Sequence, residues 1–438
     1  MDFENILHSF QEKMNIHLHL AALLILISTV SNAQFLPERS KQEHALNAAY
    51  DMSIDEMKSF GFSSRELPSS ASLQKYAIVS DQKDASSCTG FAIAGALNIL
   101  YNQLNDITLY SQKLVHKFDP NFIYSSLKNP NDLACISGSG CNCGSFISDA
   151  TKIVTKYGIK KLSLSPGISC SVTLNDNLLS QMSFMTKYYR LDGWGNVVKW
   201  EEKSGDWYWS FLYDDLKFVL ASGLPLVTGI YTSREFVDSR NNFIPPKGPE
   251  GPHAVVIVGY DDYYNGGSFK VLNSYGTDFG ENGYFWIKYT DLADVFMSSG
   301  IYFPWNDEGD FSSWFNPVST ADFYRGKTTS GVFWEGLMKN NYLQGTGIYV
   351  DDDWSMIASF EEGILNGWCV YLGNKKDDFW GLLKFENGEA VDSKSFGFAS
   401  EEDELFINAV TKNLDNQTDN LSDDIIEKIE NVYKINVE

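Results

Sequence analysis

The sequence is poor in basic residues and lacks the runs that mark several protein classes. It has 34 Lys and Arg against 57 Asp and Glu, for a formal net charge of -23. This deficit argues against nucleic acid as a partner, because phosphate binding needs clustered cations. The sequence has no strict glycine period, no long heptad run and no apolar stretch of about 18 residues, which excludes collagen, coiled coils and polytopic membrane proteins. With 43% hydrophobic residues over 438 positions, it is a globular chain long enough for two or three domains.

The N-terminus carries a short apolar run. Residues 18–30 (LHLAALLILISTV) are too few to span a bilayer comfortably, and small residues follow up to Ala33. We predict a signal peptide over residues 1–33 and a secreted or periplasmic/extracellular mature chain without a membrane span. The acidic residues before the run are unusual for a signal, so Met14 is an alternative start to Met1. A buried amphipathic helix and a membrane anchor are the alternative interpretations of the run.

Six cysteines are distributed as one cluster and two outliers. Export would place them in an oxidising compartment, where disulfides are allowed. The pattern predicts local bridges and one free thiol with another task. A metal site built from the clustered cysteines is the alternative, but the cluster lacks a paired CxxC, so we expect no metal. The cluster comprises Cys135, Cys141, Cys143 and Cys170, and the outliers are Cys88 and Cys369.

Composition and punctuation divide the rest of the chain into five segments. The segments are a polar, weakly helical spacer or short pro-segment (34–66), a globular block (67–306), a linker (307–320), a β-rich block (321–400) and an acidic tail with a helix (401–438). Within the globular block, helical patterns come first and strand patterns follow, which predicts an α+β domain with a helical half and a sheet half. The predicted helices cover 88–105, 149–157 and 216–221, and the predicted strands cover 226–231, 254–260, 269–273 and 284–288.

Two residues stand out as candidates for nucleophilic chemistry. Cys88 begins a helix that is apolar all round, with Ser86 or Ser87 as its predicted cap. A helix N-terminus lowers the pKa of a thiol, and a nearby imidazolium lowers it further. Export leaves three histidines. His44 and His116 are expected on the surface, whereas His253 opens a strongly apolar strand, which makes it the candidate partner of the thiol.

Two amides and a ring complete the candidate site. Asn273 ends a strand, where its side-chain carbonyl can orient an imidazole, and Tyr275 can cover that bond from water. Gln82 lies six residues before Cys88, where its amide can donate to a developing oxyanion together with the Cys88 backbone N–H. Taken singly, each of these residues is more often structural.

Together, these residues resemble the papain-like cysteine peptidases. The similarity covers about 67–303 and implies two lobes, a helical one with Cys88 and a β-barrel-like one with His253 and Asn273, with substrate bound between them. It implies Cys88 as nucleophile, His253 as proton acceptor and donor, Asn273 as orienter and Gln82 as oxyanion donor. No cofactor is implied.

The chain departs from the family pattern at several positions, in the manner of a divergent bacterial-type branch. Thr89 replaces the aromatic residue after the nucleophile, Tyr275 replaces a Trp, and Ala85 replaces a cysteine. The segment Gly140-Cys-Asn-Cys-Gly144 resembles a family loop whose backbone pairs with bound peptide, so Gly144 and Tyr275 are the predicted substrate contacts. The resemblance also implies a Cys135–Cys170 disulfide.

The resemblance therefore implies a secreted peptidase that acts on peptides or proteins through a thioester acyl-enzyme. Two other interpretations stay open. One is a transamidase or ligase that uses the same triad with an amine in place of water. The other is a binding protein that has lost activity and acts through its C-terminal block.

The C-terminal block contains an internal repeat. Residues 336–349 align with 358–371 so that Gly345 matches Gly367, and 380–388 form a shorter copy. Short aromatic strands with glycine at the turns resemble MORN repeats, which are stacked β-hairpins, and this implies an all-β module with an interaction or positioning role toward a protein or surface partner. An irregular β domain is the alternative.

Overall fold

The computed structural model describes most of the two globular blocks. The described residues are 50–52, 67–128, 140–162, 168–186, 189–191, 193–197, 199–203, 206–210, 212–232, 236, 251–303, 323–327, 332–340, 342–351, 353–373 and 380–395. The predicted signal peptide (1–33), linker (307–320) and tail (401–438), together with His44 and Cys135, lie outside them. The described residues fall into two compact units, 50–303 and 323–395.

The first unit is α+β, as predicted. Its helices are α1 (Cys88–Leu104), α2 (Tyr110–Val115), α3 (Pro120–Leu127), α4 (Ile147–Lys156), α5 (Asp176–Thr186), α6 (Tyr213–Ala221) and α7 (Tyr289–Val295). Its strands are β1 (Tyr50–Met52), β2 (Ser70–Ser72), β3 (Gly193–Asn196), β4 (Lys199–Lys203), β5 (Asp206–Ser210), β6 (Leu226–Thr232), β7 (Gly251–Asp261), β8 (Ser268–Leu272), β9 (Tyr284–Lys288) and β10 (Phe296–Tyr302). The predicted helices and strands are all present, with ends that differ by a few residues.

The strands form one eight-stranded sheet and a separate hairpin. The sheet runs β1-β3-β10-β6-β7-β8-β9, with β2 paired to β7, and β4 pairs with β5. All pairs in it are antiparallel except β1 with β3. Residues 50–52 belong to the segment expected to be weakly helical. That expectation is wrong there, because these residues form strand β1 and pair with β3.

Helix α1 is the centre of the helical half. It is buried along almost its whole length, as its uniformly small and apolar sequence predicts. A Cβ on Gly95 would lie 3.6 Å from side-chain atoms of both Leu272 and Val256, so α1 packs directly on β7 and β8. The predicted arrangement of a helical half that carries Cys88 and a sheet half that carries His253 is present.

His116 is buried rather than solvated, which corrects the surface assignment. Its exposed fraction is 1%. Its Nδ1 lies 3.0 Å from Nζ of the buried Lys161, and its ring packs on Tyr101 with centroids 5.3 Å apart. The sequence around His116 is polar and predicts a surface position. The groups that bury it, Tyr101 and Lys161, come from other parts of the chain, so the local sequence does not indicate burial.

The second unit is an all-β meander. Its strands are β11 (Phe323–Lys327), β12 (Phe333–Lys339), β13 (Tyr342–Val350), β14 (Trp354–Glu361), β15 (Ile364–Leu365), β16 (Gly367–Gly373), β17 (Trp380–Glu386) and β18 (Glu389–Ser395). They pair antiparallel in the order β11-β12-β13-β14-β16-β17-β18, with β15 on β14.

The predicted repeat has structural counterparts in this meander. Gly345 and Gly367 both have positive φ, at +74° and +92°, a conformation that glycine adopts without steric cost. Edge-to-face ring pairs also recur, Trp334 with Tyr349 and Trp354 with Tyr371. The all-β module is confirmed, and its strands repeat both a glycine with positive φ and a ring contact.

None of the helices among the described residues is long and apolar enough to cross a membrane.

The contact between α1 and α3 gives a stability prediction. A Cβ on Gly90 would collide with the backbone carbonyl of Pro120 and press on Tyr124. Gly90→Ala should therefore lower the free energy of unfolding by ~1–3 kcal/mol, because backbone atoms cannot move aside cheaply. Gly95→Ala is the matched control on the same helix, and since its methyl would meet ordinary contacts, it should be neutral or stabilising. Urea denaturation of both variants measures the difference, and an equal effect of the two would contradict this packing.

Candidate active site

The Cys88 thiol lies at the first residue of α1. The residue before it, Ser87, is the N-cap, but its side chain makes no capping hydrogen bond, so the predicted serine cap is wrong in that respect. The thiol instead receives backbone N–H groups from Thr89 and Ala254. Together with the positive end of a 17-residue helix, these donors favour a negative sulfur.

His253 approaches Cys88 from the sheet. It is the first buried residue of β7, 5% exposed, and its ring is hydrogen-bonded to the Cys88 thiol. Burial acts to raise the pKa of Cys88, but the hydrogen bond and charge of His253 and the two backbone N–H groups outweigh it, so the pKa lies below the ordinary thiol value. The geometry therefore favours a thiolate–imidazolium pair.

Asn273 and Tyr275 fix the imidazole from its other side. The Nε2 atom of His253 lies 2.7 Å from Oδ1 of Asn273, which leaves Nδ1 to face the sulfur. The ring of Tyr275 stacks on that of His253 with centroids 4.8 Å apart. Burial, then the nearby Cys88 charge, raises the pKa of Tyr275 to about 12, so its phenol stays neutral beside the pair. The expected orienting bond and its cover are both present.

Gln82 is held between the two halves. Its Nε2 donates to the Ala85 carbonyl at 2.7 Å, and its Oε1 accepts from the hydroxyl of Ser274 at 2.6 Å. An amide nitrogen carries two hydrogens, so the second remains to be donated elsewhere. Sequence reasoning assigned no role to Ser274, although it follows Asn273 directly. The structure gives it one, because its hydroxyl fixes which way the Gln82 amide faces.

The disulfide implied by the resemblance is wrong. Cys170 bonds to Cys141, with Cα atoms 5.1 Å apart, and so is not available to Cys135. The turn at Gly140, at φ +72°, precedes Cys141 and brings it beside Cys170. Cys143 is disulfide-bonded as well. Since these sulfurs are oxidised, they offer no thiolates for the alternative metal site.

The structure thus connects five of the six sequence-predicted catalytic and substrate-binding residues through contacts. Contacts link Cys88 to His253, and His253 in turn to Asn273 and Tyr275. Gln82 joins this group through Ser274. Gly144 lies on an exposed segment before α4, where it stays a predicted substrate contact. The assembled groups can supply a nucleophile, a proton carrier and an amide donor.

Comparison with known proteins gives one curated relative and several solved structures. An uncharacterized peptidase C1-like protein of Acanthamoeba polyphaga mimivirus is 25% identical over 240 residues, which covers 51% of this chain and 68% of the relative. Its name agrees with the family that the motifs resemble. No protein-family model matches the chain.

The solved structures similar to this chain include a cysteine protease and a procathepsin. Xylellain from Xylella fastidiosa is 24% identical with a TM-score of 0.41, over 54% of this chain and 86% of xylellain. Digestive procathepsin L 3 of Tenebrio molitor is 19% identical with a TM-score of 0.39, over 55% of this chain and 71% of that protein.

The lowered thiol pKa predicts selective alkylation of Cys88. Iodoacetamide should label Cys88 at a lower pH than ordinary thiols, because its lowered pKa lets the thiolate form while ordinary thiols are still protonated. His253→Ala should move the rate profile to higher pH, because the hydrogen bond and charge that lower the pKa are lost. Mass spectrometry of the labelled peptide across pH measures both profiles.

The second free thiol is an internal control for this experiment. Cys369 lies in the β meander, and burial raises its pKa to about 12, so it should stay unlabelled in the folded protein. Superimposable Cys88 profiles for the wild type and His253→Ala would contradict the ion pair.

Proposed function

We propose that this chain is a papain-like cysteine peptidase that hydrolyses peptide bonds, with Cys88 as the nucleophile. One observation carries the proposal. The Cys88 thiol at a helix N-terminus is hydrogen-bonded to His253, whose other ring nitrogen is held by Asn273. The name of the mimivirus relative supports the same class.

The reaction follows from these groups in two steps. The Cys88 sulfur attacks the peptide carbonyl, and His253 donates its proton to the leaving amine as the C–N bond breaks, which yields a thioester. Water then attacks the thioester carbonyl and gives a proton to His253. The C–S bond breaks, the acid product leaves and the thiolate–imidazolium pair is restored. The chemistry needs no group beyond these side chains.

Two donors would stabilise the oxyanion in each step. The first is the backbone N–H of Cys88, at the start of α1, and the second is the remaining amide hydrogen of Gln82. The hydroxyl of Ser274 accounts for the orientation of this amide, because it occupies Oε1 and turns the nitrogen away from itself. A preoriented donor costs no reorganisation when charge develops.

The site of action proposed for this enzyme is outside the cytosol. The apolar run ending near Ala33 supports a signal peptide over 1–33. The disulfide between Cys141 and Cys170 supports an oxidising compartment. We therefore propose that the protein is secreted or periplasmic/extracellular. For the C-terminal unit we propose a MORN-like role in binding a protein or surface partner, which the recurring hairpins of β12–β18 support.

The proposal predicts a peptide-cleaving activity that depends on a single sulfur. A peptide-library digest with the wild type should yield new N-termini, and Cys88→Ala should yield none. Mass spectrometry identifies the products. Amide-exchanged products in place of hydrolysed ones would contradict the peptidase and favour the transamidase. If neither reaction occurred, the peptidase would be excluded and the binding protein would be the remaining interpretation.

Gln82 predicts a separate effect on turnover. Gln82→Ala should lower kcat by about 10²–10³-fold, the typical effect of removing one oxyanion donor, and leave the alkylation rate of Cys88 near that of the wild type. Gln74→Ala is the matched control, because this glutamine contacts Lys270 instead and should have little effect. Steady-state kinetics on a cleaved peptide measures kcat, and wild-type turnover in Gln82→Ala would rule out its role.

A further inference from the structure

Residues 140–146, here called the loop 140–146, lie alongside the start of α1. The side chains alternate in exposure along the loop, with Cys143 buried and Asn142, Gly144 and Phe146 exposed. Such a period of two is typical of extended chain. The loop is also held by the disulfide from Cys141.

Backbone hydrogen bonds in the loop follow the same period. Every second residue is bonded toward the body of the helical half: the Cys141 carbonyl accepts from Ser86 N at 2.7 Å, Cys143 N donates to the Tyr124 hydroxyl at 2.8 Å, and the Ser145 carbonyl accepts from Thr89 Oγ1 at 3.1 Å. In an extended chain, the N–H and C=O groups of alternate residues point to opposite edges. The backbone of Gly144 therefore points outward.

The chain at Gly144 is open to solvent. A Cβ built on Gly144 would meet no atom within 4 Å, and the residue is exposed. An extended peptide can add to such an edge through main-chain hydrogen bonds. The position of the edge relative to the sulfur then decides where the peptide carbonyl lies.

Thr89 links this edge to the nucleophile. It follows Cys88 in the first turn of α1 and is 2% exposed. Its backbone N–H acts to lower the pKa of Cys88, while its hydroxyl donates to the Ser145 carbonyl at 3.1 Å. The residue next to the nucleophile is thus hydrogen-bonded to the loop.

We propose that Thr89 is a positioning residue that fixes the outward edge of the loop 140–146 relative to the Cys88 sulfur. This inference rests on the proposed peptidase function and deepens it. Through the hydroxyl of Thr89, the loop holds a peptide bound at Gly144 so that its carbonyl reaches the sulfur.

Tyr124 is a second, independent tether of the same loop. Its side chain is buried on α3, and its hydroxyl accepts the Cys143 N–H one residue before Gly144. It acts from a different helix and leaves the Thr89 bond in place, so loss of either tether alone should weaken peptide binding without releasing the loop.

The test compares Thr89→Val, which removes the hydroxyl and keeps the shape, with Thr89→Ser, which keeps the hydroxyl. Thr89→Val should lower kcat/KM about two- to tenfold, the effect of one neutral hydrogen bond, for peptides that extend to the N-terminal side of the cleaved bond. The change should fall mainly on KM. Thr89→Ser should behave as the wild type, and iodoacetamide should alkylate Cys88 at the wild-type rate in both variants.

Three results would overturn the inference. They are an unchanged kcat/KM in Thr89→Val, an equal loss in Thr89→Ser, and a parallel fall in the iodoacetamide rate, which would mean that the sulfur itself is disturbed. If the wild type cleaves no peptide, the proposed function fails. The tether is then judged by inactivation with a peptidyl epoxide, whose rate relative to iodoacetamide should fall in Thr89→Val, and an unchanged ratio would contradict it.

Discussion

The hydrogen bond between the Cys88 thiol and the His253 ring is the interaction on which the rest of the site depends. It joins a helix terminus to a sheet strand, so each half of the unit supplies one member. Burial alone would raise the pKa of Cys88 and leave it a neutral thiol. The imidazole and the backbone donors around it outweigh burial and lower the pKa of the sulfur.

The fold is arranged so that this contact is maintained. Small residues on α1, Gly90 toward α3 and Gly95 toward β7 and β8, let the helix approach its neighbours closely. Asn273 holds the far nitrogen of His253, and Tyr275 covers the ring. The hydrogen bond from Ser274 to Gln82 fixes the orientation of the Gln82 amide.

The parts that local pattern and short motifs encode could be predicted from the sequence. Local pattern predicted the α+β class, from the apolar run of α1 and the strand after His253. The motifs around Cys88, His253 and Asn273 predicted the three residues that meet. Side-chain partners brought together by the tertiary fold could not be predicted. The hydroxyl of Ser274 lies 192 residues from its partner Gln82, and no local signal connects the two.

Distant contacts also explain the wrong expectations. His116 has polar neighbours in sequence, yet Lys161 and Tyr101 bury it. Cys170 was assigned by resemblance to Cys135, whereas the turn at Gly140 brings Cys141 to it. Pairing among clustered cysteines depends on the path of the loop between them, and sequence spacing does not encode that path.

A direct titration of the Cys88 thiolate tests the central claim. Its ultraviolet absorbance can be followed against pH as the difference between the wild type and Cys88→Ala, which removes the contribution of Cys369. The account predicts a midpoint below that of an ordinary thiol in the wild type, and a higher midpoint when His253 is replaced by alanine. A wild-type midpoint at or above the ordinary thiol value would contradict it.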